Sequence, residues 1–377
     1  MDKKRIRYLY IFNGAMRNLN GFFKMIEDRK DAEDHIFYLP RNDDIKIYVP
    51  ELNEHDNIIY LGKKSFFREL IFEYRLFQRC DHIIIHGMFF GVKPLITLLT
   101  SKKFLKRLSW IEWTGDVFIW KREGHSLKDR FINWINQKIR EKIKLIVMSA
   151  PTDKERFESE FDISNKTILY IPFPSNRNAV AELEETRPQK QKTDGSVWIQ
   201  IGHNGYRFHH HIKILDMLER FREENIKLII PMAYGSTGLN GQYGGANYIK
   251  SVNRFAKLIY KDKAIPYSKS IPLKKYTQFL WNIDIAVFAM ERLAGASNVF
   301  MLLYMGKKVF FPGDSPHFKF FREQGFDVYD TNKIPQMSFE EFIRPVQNHD
   351  ISWLKNVYDN KTTIQRWNSF YEELNKM

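Results

Sequence analysis

One cysteine, Cys80, occurs in 377 residues, which excludes a disulfide framework and any Cys-rich zinc module and fits a reducing compartment. No window approaches the roughly 20 consecutive apolar residues that a membrane-spanning helix requires. D-x-D is absent, which argues against a site where paired carboxylates hold a divalent ion on a diphosphate. No metal and no other cofactor is expected. Walker A, G-x-S-x-G and the kinase motif set are also missing, so hydrolase and phosphotransferase chemistry lose ground. There is no RNP, KH, zinc-finger or helix-turn-helix signature, and nucleic acid is not an expected partner. The opening MDKKRIRYLYIF has basic residues before an apolar run, as a signal peptide does. That run is too short, and NGAMRNLNG follows it, so it reads as a first strand. A cytoplasmic location is expected.

What is present is a globular composition, 44% hydrophobic and 28% charged, long enough for two domains. The net charge of +14 is unevenly placed. Residues 1–62 hold 10 Lys/Arg against 11 Asp/Glu, whereas residues 63–144 hold 18 against 8. The second block contains KKSFFRELIFEYRLFQR, SKKFLKRLSW and KDRFINWINQKIREKIK, which mix cations with Phe, Trp, Leu and Ile at helical spacing. Two readings fit: a surface that rests on an anionic membrane, or solvated helices with core-facing stripes.

Strand-like and helix-like segments alternate in both halves, which implies parallel α/β sheets. In the first half DHIIIHG (81–87) is apolar on both faces, as in the middle of a parallel sheet. The helix PTDKERFESEF begins with the Pro and Thr/Asp of a capped start. The organisation expected is an amino-terminal domain over 1–174, a polar linker over 175–196, a second domain over 197–345 and a helical tail over 346–377. Ligands of such a pair are expected beyond the carboxyl ends of the strands, in a cleft between domains.

Two loops of the second half look built for a diphosphate. In DIAVFAMERLAGASNVFMLLYMGKKVFF (284–311) a strand leads through small residues into a helix, whose free N–H groups and dipole favour an anion. Ser297 and Asn298 are candidate contacts there, with Arg292 beside them. In GHNGYRFHHH (202–211) Gly202 ends a strand, and His203 and Asn204 offer donors to a phosphate or sugar. Residues adjacent on a helix project about 100° apart, so His209, His210 and His211 are not expected to converge on one ion. Zinc is the minor reading, and one of the three is expected to face the cleft. Tyr234 completes the donor-side set.

In the first half, His86 and the WIEWTGD segment (110–116) end strands. Transfer of a sugar to a hydroxyl needs a base, for which Asp116 ranks first, then His86 and Glu112. Aromatic faces hold sugar rings, and Trp110, Trp113 and Trp120 are the candidates. Core tryptophans and a capping Asp116 are the plainer alternative.

At these segments the chain resembles the bacterial 4-acetamido-4,6-dideoxygalactose transferases that act on lipid II, glycosyltransferase family 56. WIEWTGD is similar to the family's Trp-x-x-Trp-Gly-x-Asp stretch, with Thr114 inserted ahead of the glycine. KIKLIVMSAPTDKERF, IQIGHNGYRFHHHI, KLIIPMAYG…NYIKSV and AGASNVFMLLYMGKKVFF follow in family order, with His211 matching the family histidine. The resemblance spans about residues 80–312, and it rests on the ordered set. It implies a GT-B glycosyltransferase of two Rossmann-like domains. The donor would be a dTDP- or UDP-linked sugar, and the acceptor a polyprenyl-diphosphate-linked saccharide at the inner leaflet of the plasma membrane. The basic face at 63–144 would dock there. His203-Asn204 replaces the family's Asn-Ser, and GSTGLNGQYGGAN (235–247) is a longer insert, both on the donor side. A glycerophosphate or pyruvyl transferase on the same scaffold, or a non-catalytic binding module, are the rivals.

Overall fold

The computed structural model describes residues 6–12, 19–40, 57–61, 74–89, 92–118, 126–149, 151–174, 183–187, 192, 194–233, 245–268, 273–290 and 295–377. The chain divides into two compact units, Met1–Arg177 with Val357–Met377, and Asn178–Asn356.

The first unit holds a seven-stranded sheet. Its strands are β1 (Ile6–Phe12), β2 (His35–Pro40), β3 (Ile58–Leu61), β4 (Cys80–His86), β5 (Leu108–Ile111), β6 (Leu145–Met148) and β7 (Thr167–Tyr170). Every pairing is parallel, in the order β3-β2-β1-β4-β5-β6-β7. The period of two sorts side chains onto opposite faces. Leu9, Ile11, Ile83 and Ile85 point to one core with Ile135 and Ile139 of the helix Leu127–Lys142. Tyr8, Tyr10, Phe12 and Ile84 point to the other, beneath Phe22 and Phe23 of the helix Leu19–Glu27.

That second core corrects the expected tail. Trp367, Phe370, Tyr371 and Leu374 of the helix Asn360–Asn375 are buried in it. Each such side chain is worth roughly 1.5–3 kcal/mol of transfer free energy. The Trp367 indole N–H donates to the Pro172 carbonyl at 3.3 Å, and the Tyr10 and Tyr371 hydroxyls lie 2.7 Å apart. The last helix therefore completes the first unit.

The second unit repeats the plan with six strands: β8 (Val197–Ile201), β9 (Ile226–Pro231), β10 (Ala264–Tyr267), β11 (Ile285–Val287), β12 (Lys308–Phe311) and β13 (Val328–Asp330). All pair in parallel, in the order β10-β9-β8-β11-β12-β13. β10 and β13 were not expected from sequence; they are the two edges, and Pro266 inside β10 is a residue that suits an edge. Part of the expected linker belongs to this unit. Thr186 donates to the Thr277 hydroxyl at 3.0 Å, the Trp281 indole donates to the Leu183 carbonyl at 3.0 Å, and Leu183 is buried.

In both sheets the strand order reverses once, between β1 and β4 and between β8 and β11. Phe12 pairs with His86 and Ile201 with Val287 at the carboxyl ends of those strands. Doubly wound sheets receive ligands at such points.

Candidate functional site

At the switch point of the second unit the two expected loops meet. Gly202 (φ +61°) donates its N–H to the Val287 carbonyl, joining the loop after β8 to β11. A Cβ on Gly202 would stand 2.9 Å from His211 Nε2. The chain then turns through Asn204, whose side-chain oxygen accepts from the Tyr206 N–H at 3.0 Å and whose amide lies 2.9 Å from His203 Nε2. The opposite loop closes at Gly295 (φ +69°), the N-cap of the helix Ala296–Tyr304. A Cβ there would meet His203 Nε2 at 2.1 Å, so the imidazole fills space that only glycine leaves open. His203 is thus the contact between the loops.

Beneath them lies Gln200, fully buried on β8. Its amide donates to the Gly202 carbonyl at 2.8 Å and to Asn298 Oδ1 at 2.9 Å, while Asn298 donates to the Tyr276 hydroxyl at 2.5 Å. Asn298 therefore braces the helix start from within. Ser297 stays half-buried at that start, which carries the positive end of the helix dipole.

The histidine triplet differs from expectation. Arg207–His209 is a 3-10 turn, His210 takes φ +50°, and the α-helix runs His211–Leu218. That break leaves His210 exposed but buries both neighbours. The His209 ring stands edge-on to His203 at 4.4 Å, and the His211 ring lies 5.5 Å from it. His211 Nδ1 lies 3.1 Å from the Tyr248 hydroxyl, and burial pushes its pKa down to about 3. His211 supports the loop as a neutral ring. Among the described residues no three His, Cys, Asp or Glu side chains are placed to hold a metal ion.

The first unit gathers its candidates differently. Asp116, in the short helix Gly115–Phe118, is fully buried. Its carboxylate accepts from the Met88 N–H at 2.6 Å, the Trp110 indole at 2.7 Å and the Trp113 N–H at 2.9 Å. The buried Arg140 guanidinium donates to the Met88 and Asp116 carbonyls, both at 3.2 Å, and lies over Trp110. Burial raises the Asp116 pKa, and the N–H donors and Arg140 oppose that. The geometry makes Asp116 the brace of the turn, not a base open to a hydroxyl.

Glu112 is equally enclosed. It accepts from the N–H of Thr114, the inserted residue, which sits at φ +53°. Burial first, then the Asp153 and Asp116 carboxyls, hold Glu112 well above the usual carboxylate range. Asp153, expected as a helix cap, makes no side-chain cap bond. Its carboxyl accepts instead from the Thr152 hydroxyl at 3.4 Å, and its charge helps push the Glu112 pKa up. His86 lies in an aromatic box, stacked on Phe12 at 4.0 Å and edge-on to Phe22 at 5.1 Å. Burial drives its pKa well below the ordinary value.

Trp110 is a core side chain, contrary to expectation, whereas Trp113 is half-buried. Trp120, Tyr234 and Arg292 lie outside the described residues. Gln200, Gly295, Tyr248, Asp153 and Arg140 were missed as site residues. Gly295 lay in the small-residue run already read as a phosphate loop, and Gln200 was the lone polar side chain in VWIQI.

Two doubly wound parallel units make a GT-B fold. The model of the family described as 4-alpha-L-fucosyltransferase, glycosyl transferase group 56, matches residues 17–372, and the chain belongs to that family. Solved structures of similar fold agree. HepE from Anabaena, in complex with UDP and glucose, has a TM-score of 0.64 at 10% identity, covering 98% of this chain and 100% of its own. The UDP-forming trehalose-phosphate synthase of Burkholderia vietnamiensis gives 0.62 at 9% identity, with 98% and 100% covered. The UDP-GlcNAc 2-epimerase of Neisseria meningitidis, bound to UDP-GlcNAc, gives 0.53 at 12% identity over 98% and 100%. The chain is a nucleotide-sugar-dependent glycosyltransferase, which sets aside the glycerophosphate, pyruvyl and non-catalytic readings.

Proposed function

We propose that this enzyme transfers a 6-deoxy-galactose-type amino sugar, such as 4-acetamido-4,6-dideoxygalactose, from a dTDP or UDP donor to a polyprenyl-diphosphate-linked saccharide. The observation that carries the donor half is the meeting of His203 with Gly295 across two loops at one switch point. The loops bring the neutral polar side chains of Asn204 and His203 up to the helix start at Ala296, a setting without negative charge suited to a diphosphate. The helix dipole at Ala296 stabilises the departing nucleoside diphosphate without a metal. The family description names a fucosyl group, itself a 6-deoxy-galactose, which supports the sugar class. The acceptor half rests on the sequence resemblance and on the +10 balance of residues 63–144, which suits an anionic inner-leaflet surface.

A thermal-shift panel of dTDP, UDP, GDP and CDP, with and without EDTA, tests the donor. The expected result is a shift with one of the first two, unchanged by chelator. No shift with any nucleotide overturns the reading, and a shift that chelator removes overturns its metal independence. Turnover with lipid-linked and sugar-only acceptors then tests the second half.

A further inference from the structure

The helix Leu127–Lys142 buries Ile132, Ile135 and Ile139 against the first core. Its opposite face is also apolar. Leu127 is 82% exposed, and Phe131 and Trp134 are each 50% exposed. The spacing i, i+4, i+7 lines them up as one stripe. The Phe131 and Trp134 rings stack with centroids 6.1 Å apart, forming a single protruding aromatic ridge. Cations flank it: Lys128, Arg130 and Lys142 are exposed. The acids of the helix are already engaged, Asp129 with Ser126 and Glu141 with Lys138 and Gln137.

The connection between parallel strands runs antiparallel to them, so the start of this helix lies at the carboxyl end of the sheet. The same end carries the Glu112–Asp116 turn and Phe89, itself 45% exposed in the loop after β4. An apolar ridge rimmed by Lys and Arg, with Trp among its tips, has the chemistry of an element that sits in the headgroup layer of an anionic bilayer. We infer that the 127–134 ridge docks this enzyme onto an anionic lipid surface. Leu127, Phe131 and Trp134 enter the interface, and Lys128 and Arg130 pair with lipid phosphates. The inference deepens the lipid-linked-acceptor reading: it names the face that would bring the first unit to such an acceptor.

The test uses the full chain and two variants, Leu127→Ser/Phe131→Ser/Trp134→Ser and Lys128→Glu/Arg130→Glu, whose substituted side chains are exposed. Sedimentation with phosphatidylglycerol-containing vesicles should show wild-type binding that weakens with salt. Pure phosphatidylcholine vesicles should bind far less. The apolar triple variant should lose roughly tenfold or more in partitioning, and the charge variant should lose most of its preference for anionic lipid. The melting temperatures of both should stay at the wild-type value. Unchanged vesicle binding by the triple variant overturns the inference, and so does a wild-type enzyme that ignores both vesicle types. A wild-type dimer that the triple variant converts to monomer, with vesicle binding intact, assigns the ridge to a second copy and also overturns it. Turnover on a short-chain, water-soluble acceptor separates the two readings. If it fails while the vesicle difference holds, the acceptor reading falls and the docking face stands.

Discussion

The two units share a strand order but close their switch points in opposite ways. The first fills its end with buried carboxyl groups: Asp116 under three N–H donors and beside Arg140, and Glu112 near Asp153. The second uses glycines and neutral rings, with Gly202 and Gly295 at positive φ and His203, His209 and His211 filling the gaps. A buried carboxylate fixes a turn firmly but presents nothing to a ligand. Glycine turns packed by imidazoles let backbone and rings approach closely without adding negative charge, which suits an anionic donor. The same scaffold therefore holds a rigid shelf in one unit and a receptive loop pair in the other.

Asp116→Asn bears hardest on that contrast. It should cost about 3 kcal/mol in urea unfolding, because Arg140 and three donors lose a buried charged partner. A variant with wild-type stability but no turnover would give the carboxylate a chemical role and break the comparison. Gly295→Ala should come next. Its Cβ displaces the His203 ring, and φ +69° strains alanine, together about 2 kcal/mol or roughly thirtyfold in nucleotide affinity by calorimetry. Adding His203→Ala should recover the part due to the clash. No recovery would mean that the loops are not joined through that ring.

A smaller effect follows from His211. Its folded pKa of about 3 lies below the unfolded value of about 6.5, so the unfolded chain takes up a proton that the folded one refuses. That stability is complete well above pH 6.5 and is lost as the pH falls through it, by roughly 1.5 kcal/mol at pH 5.5. His211→Asn should flatten this dependence in a pH series of melts. The smallest expectation concerns Trp113→Ala, which should raise the acceptor KM roughly fivefold, the worth of one stacked ring, with the melting temperature little changed. An unchanged KM would leave the first unit without an acceptor contact.

Much of this could be read from the chain. DHIIIHG and VWIQIG announced central strands, and AGASNVFMLLYMG announced the helix start that now faces His203. The edges β10 (AIPY) and β13 (VYD) did not show, because a proline in one and a carboxylate in the other break the apolar run that marked equally short strands such as β11 and β12. The helix expected over 209–224 breaks at His210, where a left-handed residue stands in a run that looks uniformly helical.

Local order was thus set by pattern: alternation made the strands, small residues opened the donor loops, and the cation–aromatic block supplied a ridge. Tertiary contact decided the rest. Asp116 became a brace because Met88 and Arg140, 28 and 24 residues away, close over it. The last helix joined the first unit because Trp367, Phe370, Tyr371 and Leu374 found their core some 360 residues upstream, beside Tyr8 and Tyr10. Burial and long-range hydrogen bonding depend on which segments meet, and no spacing within a single segment encodes that.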